Sequence, residues 1–132
     1  MTDANPFEAM MKMGQDWAKA LNPAMENFTP KGWEAMLPTM PKDMMEAFMG
    51  KGISPEGLDA KTRLLLTLMG LTIMGAQAEA QIRLTVRHAV EAGATKQEIA
   101  ETIAQAAMFG GVPAMTKAMD LATEVLDKEA EG

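Results

Sequence analysis

The sequence contains no cysteine. That single absence removes disulfides, thiolate nucleophiles, redox Cys-x-x-Cys pairs and cysteine metal sites together. Histidine occurs once, at His88, with no clustered carboxylates around it, so a zinc site lacks its ligands. Basic runs are missing as well. Twelve Lys+Arg stand against 18 Asp+Glu, a net charge of -6, which leaves no electrostatic footprint for a phosphate backbone. Nucleic acid is not an expected partner. No uncharged run, Leu64 to Ala78 included, exceeds 15 residues, whereas a membrane span needs about 20. The start, MTDANPFEAMMK, is acidic before it is apolar, so no signal peptide is expected. These absences predict a soluble, cytoplasmic protein with no membrane span, no metal and no cofactor.

What is present is helical. At 132 residues, 48% of them hydrophobic, the chain has the size and composition of one domain. Asn5-Pro6 reads as an N-cap with proline at the first helical position, and Asn22-Pro23 as the stop. Between them Phe7, Met10, Met11, Gly14, Trp17, Ala18 and Leu21 form one stripe of an amphipathic helix. Thr29-Pro30 and Pro41 open two shorter helices, closed by Gly50 and Gly52. Asp59 caps a helix from Ala60 whose stretch Leu64 to Met74 is apolar or neutral on every side, as in a central, buried helix. The next helix follows Gly75 and stops at Gly93. Thr95 and Glu98 form a capping box for another. Gly110-Gly111 breaks that one and Pro113 begins the last, before a tail expected to fray at 129–132. No segment alternates with period two, so no sheet is assigned. The predicted class is all-α.

Composition divides the chain. Ten of the 15 methionines lie in the first 50 residues, with both tryptophans and three of the four phenylalanines. Flexible, polarizable side chains of this kind serve either as a gap-filling cover over a core or as a docking arm for another protein. The expected division is a Met-rich helical cover at 1–57, a helical core at 58–128 and the tail. The Gly110-Gly111 pair reads as a tight turn between closely packed helices rather than an anion site, because Pro113 removes a donor and no phosphate-loop Lys or Ser follows.

The helix at 79–92 carries the candidate chemistry. Glu79, Arg83, Arg87 and Glu91 line one edge at i,i+4 spacing, which predicts a solvated, salt-bridged face. Ile82, Val86, Ala89 and Val90 form the core face. Between them run Gln81, Thr85, His88 and Ala92, a polar stripe flanked by apolar residues. Such a stripe suits a pocket wall or a hydrogen-bonded subunit contact.

The runs LDAKTRLLL and HAVEAGATKQEIAETIAQAAMFGGVPAM resemble the carboxymuconolactone decarboxylase and alkylhydroperoxidase D-like family. The residues carrying the likeness are Leu58, Asp59, Thr62 and Arg63; then Ala89, Gly93, Thr95, Glu98 and Ile99; then Gly110, Gly111, Pro113 and Ala114. It extends from residue 58 to about 126. The resemblance implies an all-helical antiparallel hairpin core that assembles into trimers or hexamers. It also implies either a peroxiredoxin-like disulfide relay or cofactor-free decarboxylation of a small lactone acid. Counted back from Gly93, the family's histidine position falls on Thr85 and its two cysteines on Ala78 and Gln81. Its glutamate falls on Leu64, or on Leu66 if the two extra residues between the helices shift the count.

A thiol peroxidase is therefore not expected. The leading expectation is a pocket lined by Leu64, Ala78, Gln81, Thr85 and His88 that takes a small organic molecule. The alternatives are a lyase or isomerase using His88 as acid and base, and an oligomeric interaction module working through the Met-rich arm. His88 lies one turn and about 60° from Thr85 on a helix, so it can serve either the cavity or the packing.

Overall fold

The computed structural model describes residues 6–26 and 33–131. Every long regular element among them is an α-helix, and none of them forms a strand. The chain is all-α. It divides into two compact units, residues 1–33 and 34–132.

The first unit is built on α1 (Pro6–Glu26). Phe7, Met10 and Met11 are exposed on it. The expected stop at Asn22-Pro23 does not end the helix, which continues to Glu26. Pro23 lacks one N–H, and near a helix end that forfeits a single backbone bond. The predicted cap at Asn5 and the helix start at Thr29-Pro30 lie outside the described residues.

The second unit contains most of a 3₁₀ turn (Trp33–Met36), then α2 (Lys42–Met49), α3 (Ala60–Ile73), α4 (Glu79–Glu91), α5 (Lys96–Gly110) and α6 (Val112–Glu131). It begins at Glu34, not at residue 58, because the Met-rich segment supplies part of the core. Met45 of α2 is fully buried, and Met40 and Met49 pack against the same cluster. Met36, Met44 and Phe48 stay exposed. α6 extends through residues 129–131.

The capping signals operate as the sequence predicts. Asp59 accepts the Thr62 N–H at 2.8 Å. Thr95 Oγ1 accepts from the Glu98 amide at 3.0 Å while Glu98 Oε1 accepts from the Thr95 amide at 2.9 Å. Gly93 sits at φ +106, a conformation that favours glycine. The Ala94 N–H then reaches the Ala89 carbonyl and the Gly93 N–H that of Val90, which closes α4 in a Schellman turn.

Two hairpins, α3–α4 and α5–α6, lie so that equivalent helices run in the same direction. Lys61 pairs with Glu98 at the start of α3 and α5, 37 positions apart. A Cβ on Gly110 would stand 2.9 Å from the Ile73 Cα, so the far ends of the two helices meet at the same offset. Likewise Lys117 and Glu124 of α6 pair with Glu79 and Arg83 of α4. Leu64 and Leu68 of α3, Ile82 and Val86 of α4, Ile99 and Ile103 of α5, and Ala118 of α6 share the core between them. Each large aliphatic side chain taken fully from water there contributes about 1.5–3 kcal/mol. The prediction that α3 is buried on every side is corrected. Leu66 and Ile73 are exposed, and the buried positions Ala60, Leu64, Leu68 and Thr72 recur every fourth residue along one face.

Candidate functional site

On α4 the residues divide by face, as helical spacing requires. Ile82, Val86 and Ala89 are fully buried. Of the edge Glu79, Arg83, Arg87 and Glu91, predicted to be solvated, Glu79 and Glu91 are exposed, whereas Arg83 and Arg87 are half-buried and bond to the segment 34–40. Arg83 donates to Glu34 at 2.9 Å, to Glu124 at 3.1 Å and to Glu79 at 3.4 Å. Glu34 is only 4% exposed, and its second oxygen takes the Ala35 N–H. Burial pushes the Arg83 guanidinium down, but the hydrogen bonds and charges of Glu34 and Glu124 outweigh it and hold the group above its ordinary value. Arg87 donates to the Leu37 carbonyl rather than pairing with Glu91. The two arginines fasten the segment 34–40 through the Glu34 carboxylate and the Leu37 carbonyl, which periodicity cannot reveal.

The polar stripe divides in two. His88 is half-buried and both ring nitrogens are engaged. Nδ1 lies 2.9 Å from the Leu84 carbonyl and Nε2 takes the Met40 N–H at 3.0 Å. A carbonyl only accepts and an amide N–H only donates, so the ring is the neutral tautomer with its hydrogen on Nδ1. Thr85 is 8% exposed and Gln81 half-buried. Thr67, Thr72, Thr102 and Thr123 each donate to the carbonyl four residues back. Thr85 does not, and neither its hydroxyl nor the Gln81 amide has a hydrogen-bond partner among the described residues. Although Thr85 is mostly buried, its hydroxyl is not among the buried polar atoms without a partner, so it reaches solvent and is free to bond a ligand or water.

Of the remaining predicted lining residues, Ala78 precedes α4 at its N-cap and is half-buried. Leu64 is buried in the core cluster that holds Ile82 and Val86. Leu66, the alternative glutamate position, is 54% exposed and faces away into a different concavity. That concavity is an open groove of about 560 Å³ along α3 and α5, lined by Lys61, Leu65, Leu66, Met69, Glu101 and Gln105, among others. Sequence reasoning missed it. The signal was the i,i+4,i+7 spacing of Thr62, Leu66 and Met69, hidden by the assumption that α3 is buried all round. No cluster of three His, Cys, Asp or Glu among the described residues is placed to hold a metal ion. None of the helices there is long and apolar enough to cross a membrane.

Comparison with known proteins bears on the same helices. The model of the carboxymuconolactone decarboxylase family matches residues 41–124. The match therefore takes in α2, which the sequence motifs alone did not connect to the core. An uncharacterized 15.0 kDa protein in the nqo9-nqo10 intergenic region of Paracoccus denitrificans is 54% identical over 133 aligned positions, covering 99% of each chain. A 4-carboxymuconolactone decarboxylase of Acinetobacter baylyi is 36% identical over 76 residues, 58% of this chain and 55% of that one. A nitrosuccinic acid decarboxylase of Metarhizium robertsii is 44% identical over 63 residues, 48% of this chain and 43% of that one.

Proposed function

Because this chain belongs to the carboxymuconolactone decarboxylase family and has no cysteine, we propose that it binds a small organic acid at Gln81 and Thr85 and reduces no peroxide through thiols. The observation that carries this reading is the pair of unpartnered polar groups one turn apart on α4. A hydroxyl and a carboxamide are hydrogen-bond donors suited to a carboxylate oxygen. The substrate class follows the two partial relatives, both named for small carboxylic acids. Ala78 and Leu64 supply the apolar side of the site, and His88 fixes its edge. Calorimetric titration with small lactone acids and substituted succinates tests it. Binding that weakens about tenfold or more in Thr85→Val, the loss of one hydrogen bond to a charged group, supports the reading. Indifference to that substitution sinks it.

The decarboxylase names favour a second reading, a cofactor-free lyase or isomerase with His88 as acid and base. It requires the imidazole to give up the Met40 amide during each turnover. Under this reading His88→Ala abolishes turnover while leaving helix content intact; under the first, acid binding persists in the same variant.

The protein is further proposed to work in the cytoplasm as a homo-oligomer, a trimer or hexamer, with a second copy covering its exposed apolar end. Gly110 lies against the Ile73 backbone, which brings the exposed Ile73 and Met74 at the close of α3 to the same end of the domain as Met108, Phe109 and Val112. Met74 is 78% and Phe109 67% exposed. Adjoining large apolar side chains left in water on one end of a domain mark an association surface.

A further inference from the structure

We propose that His88 is a proton-operated latch that straps residues 37–40 onto α4. Its two ring nitrogens face groups whose roles are fixed. The Leu84 carbonyl beside Nδ1 can only accept, and the Met40 amide beside Nε2 can only donate. Both contacts exist together in the neutral ring, in one tautomer of two. A proton arriving from solvent has one place to go, the Nε2 lone pair, where it meets the Met40 N–H head to head. The hydrogen bond to Met40 is then lost and nothing on the ring replaces it.

The surroundings favour release over compensation. Residues 37–40, Leu-Pro-Thr-Met, contain no titratable group. Arg87 and Glu91 flank His88 on α4, and Lys42 and Asp43 follow the strap at the start of α2. Lys42 Nζ lies 3.7 Å from where a Cβ on Gly93 would stand. Neither these nor any described residue of α3, α5 or α6 brings a carboxylate within 4.0 Å of the ring. A protonated ring in the last turn of α4 is favoured where it stands by the negative end of the helix dipole, which does not draw it back to the strap.

The second fastening carries a cost of its own. Arg87 holds the Leu37 carbonyl, but its Nε is buried with no partner. Lifting the strap lets that orphaned donor reach water, which offsets part of what the lost bonds contributed. Met40 packs against the core cluster, so its departure uncovers part of that cluster. The latch is thus built from two adjacent helix residues and four residues of chain. It stands on geometry that does not involve the acid-binding reading.

Nuclear magnetic resonance of the full-length protein tests it, with the ring's own nitrogen shifts reporting its protonation and tautomer. While the ring is neutral, the shifts should show hydrogen on Nδ1, and the Met40 amide should be protected from exchange. Once the ring is doubly protonated, Met40 protection, corrected for the intrinsic effect of pH, should fall about tenfold, the weight of one net hydrogen bond. The Ile103 amide of α5 should not change. His88→Gln, whose side-chain carbonyl accepts without titrating, should make Met40 protection independent of pH. An Nε2–H tautomer in the neutral ring, or Met40 protection that survives ring protonation in the unmodified chain, overturns the proposal whether or not the variant folds.

Discussion

At the residue scale, a side chain's chemistry is set by what its neighbours leave free. The lone histidine is the residue that composition singles out, yet both its nitrogens are committed to backbone. Thr85, which draws no attention in a sequence, is nearly buried with its hydroxyl unused. Spacing was enough to place both on one stripe, because position on a helix is fixed by the 3.6-residue repeat. It was silent on which had partners, since the Met40 amide that engages Nε2 lies 48 positions away in a segment of no regular pattern. The caps were legible because they are local. Replacing Thr95 by alanine removes the side-chain half of the capping box while leaving the backbone N–H at 95 to donate to Glu98, and should lower stability by about 1 kcal/mol, read from urea unfolding. The carboxylates of the caps give a pH signature. Hydrogen bonds from Thr62 hold Asp59 below its ordinary value of 3.8. The Thr95 amide, and then Lys61, hold Glu98 below 4.5. Groups depressed in the folded state contribute fully above those values and lose their contribution as pH falls through the depressed range. Urea midpoints measured from pH 7 to pH 3 should decline less steeply in Asp59→Asn/Glu98→Gln than in the unmodified chain.

At the scale of elements, close approach and buried charge hold the arrangement. Gly110 lies so near Ile73 that an added methyl group would stand 2.9 Å from the Ile73 Cα and 3.0 Å from its carbonyl oxygen. Backbone cannot yield as a flexible side chain does. Gly110→Ala should therefore separate α3 from α5 and cost about 1–3 kcal/mol, as overpacking typically does; a thermal melt reports it. The glycine pair was read correctly as a close-packed turn, but sequence could not say which helix it approached. Arg83 is the other fastening. Arg83→Met leaves the Glu34 carboxylate buried without its cation and should destabilise by about 3 kcal/mol. Periodicity had assigned Arg83 to a solvated face, because an i,i+4 pair with Glu79 looks the same whether or not a distant segment folds over it.

At the scale of the molecule, the all-helical class was legible from caps and periodicity, while the outer limit of the compact core was not. Met45 is invisible as a core residue in a stretch where methionines are common, yet it is fully buried. Removing residues 1–33 should leave a folded α2–α6 unit with its helical content intact. Removing residues 1–50 should collapse it, because the cut takes Met45 and the Glu34 anchor as well; circular dichroism separates the two. The exposed end at Ile73, Met74, Met108 and Phe109 belongs to this scale too. Phe109→Glu should lower the molecular mass read by light scattering without changing helix content. The central claim is that ligand chemistry sits on Gln81 and Thr85 while the imidazole serves the architecture. One calorimetric series tests it most directly, titrating small lactone acids and substituted succinates into the unmodified protein, Thr85→Val and His88→Gln. The account predicts binding in the first, its loss in the second and its retention in the third. Binding that vanishes with His88→Gln and persists with Thr85→Val would contradict it.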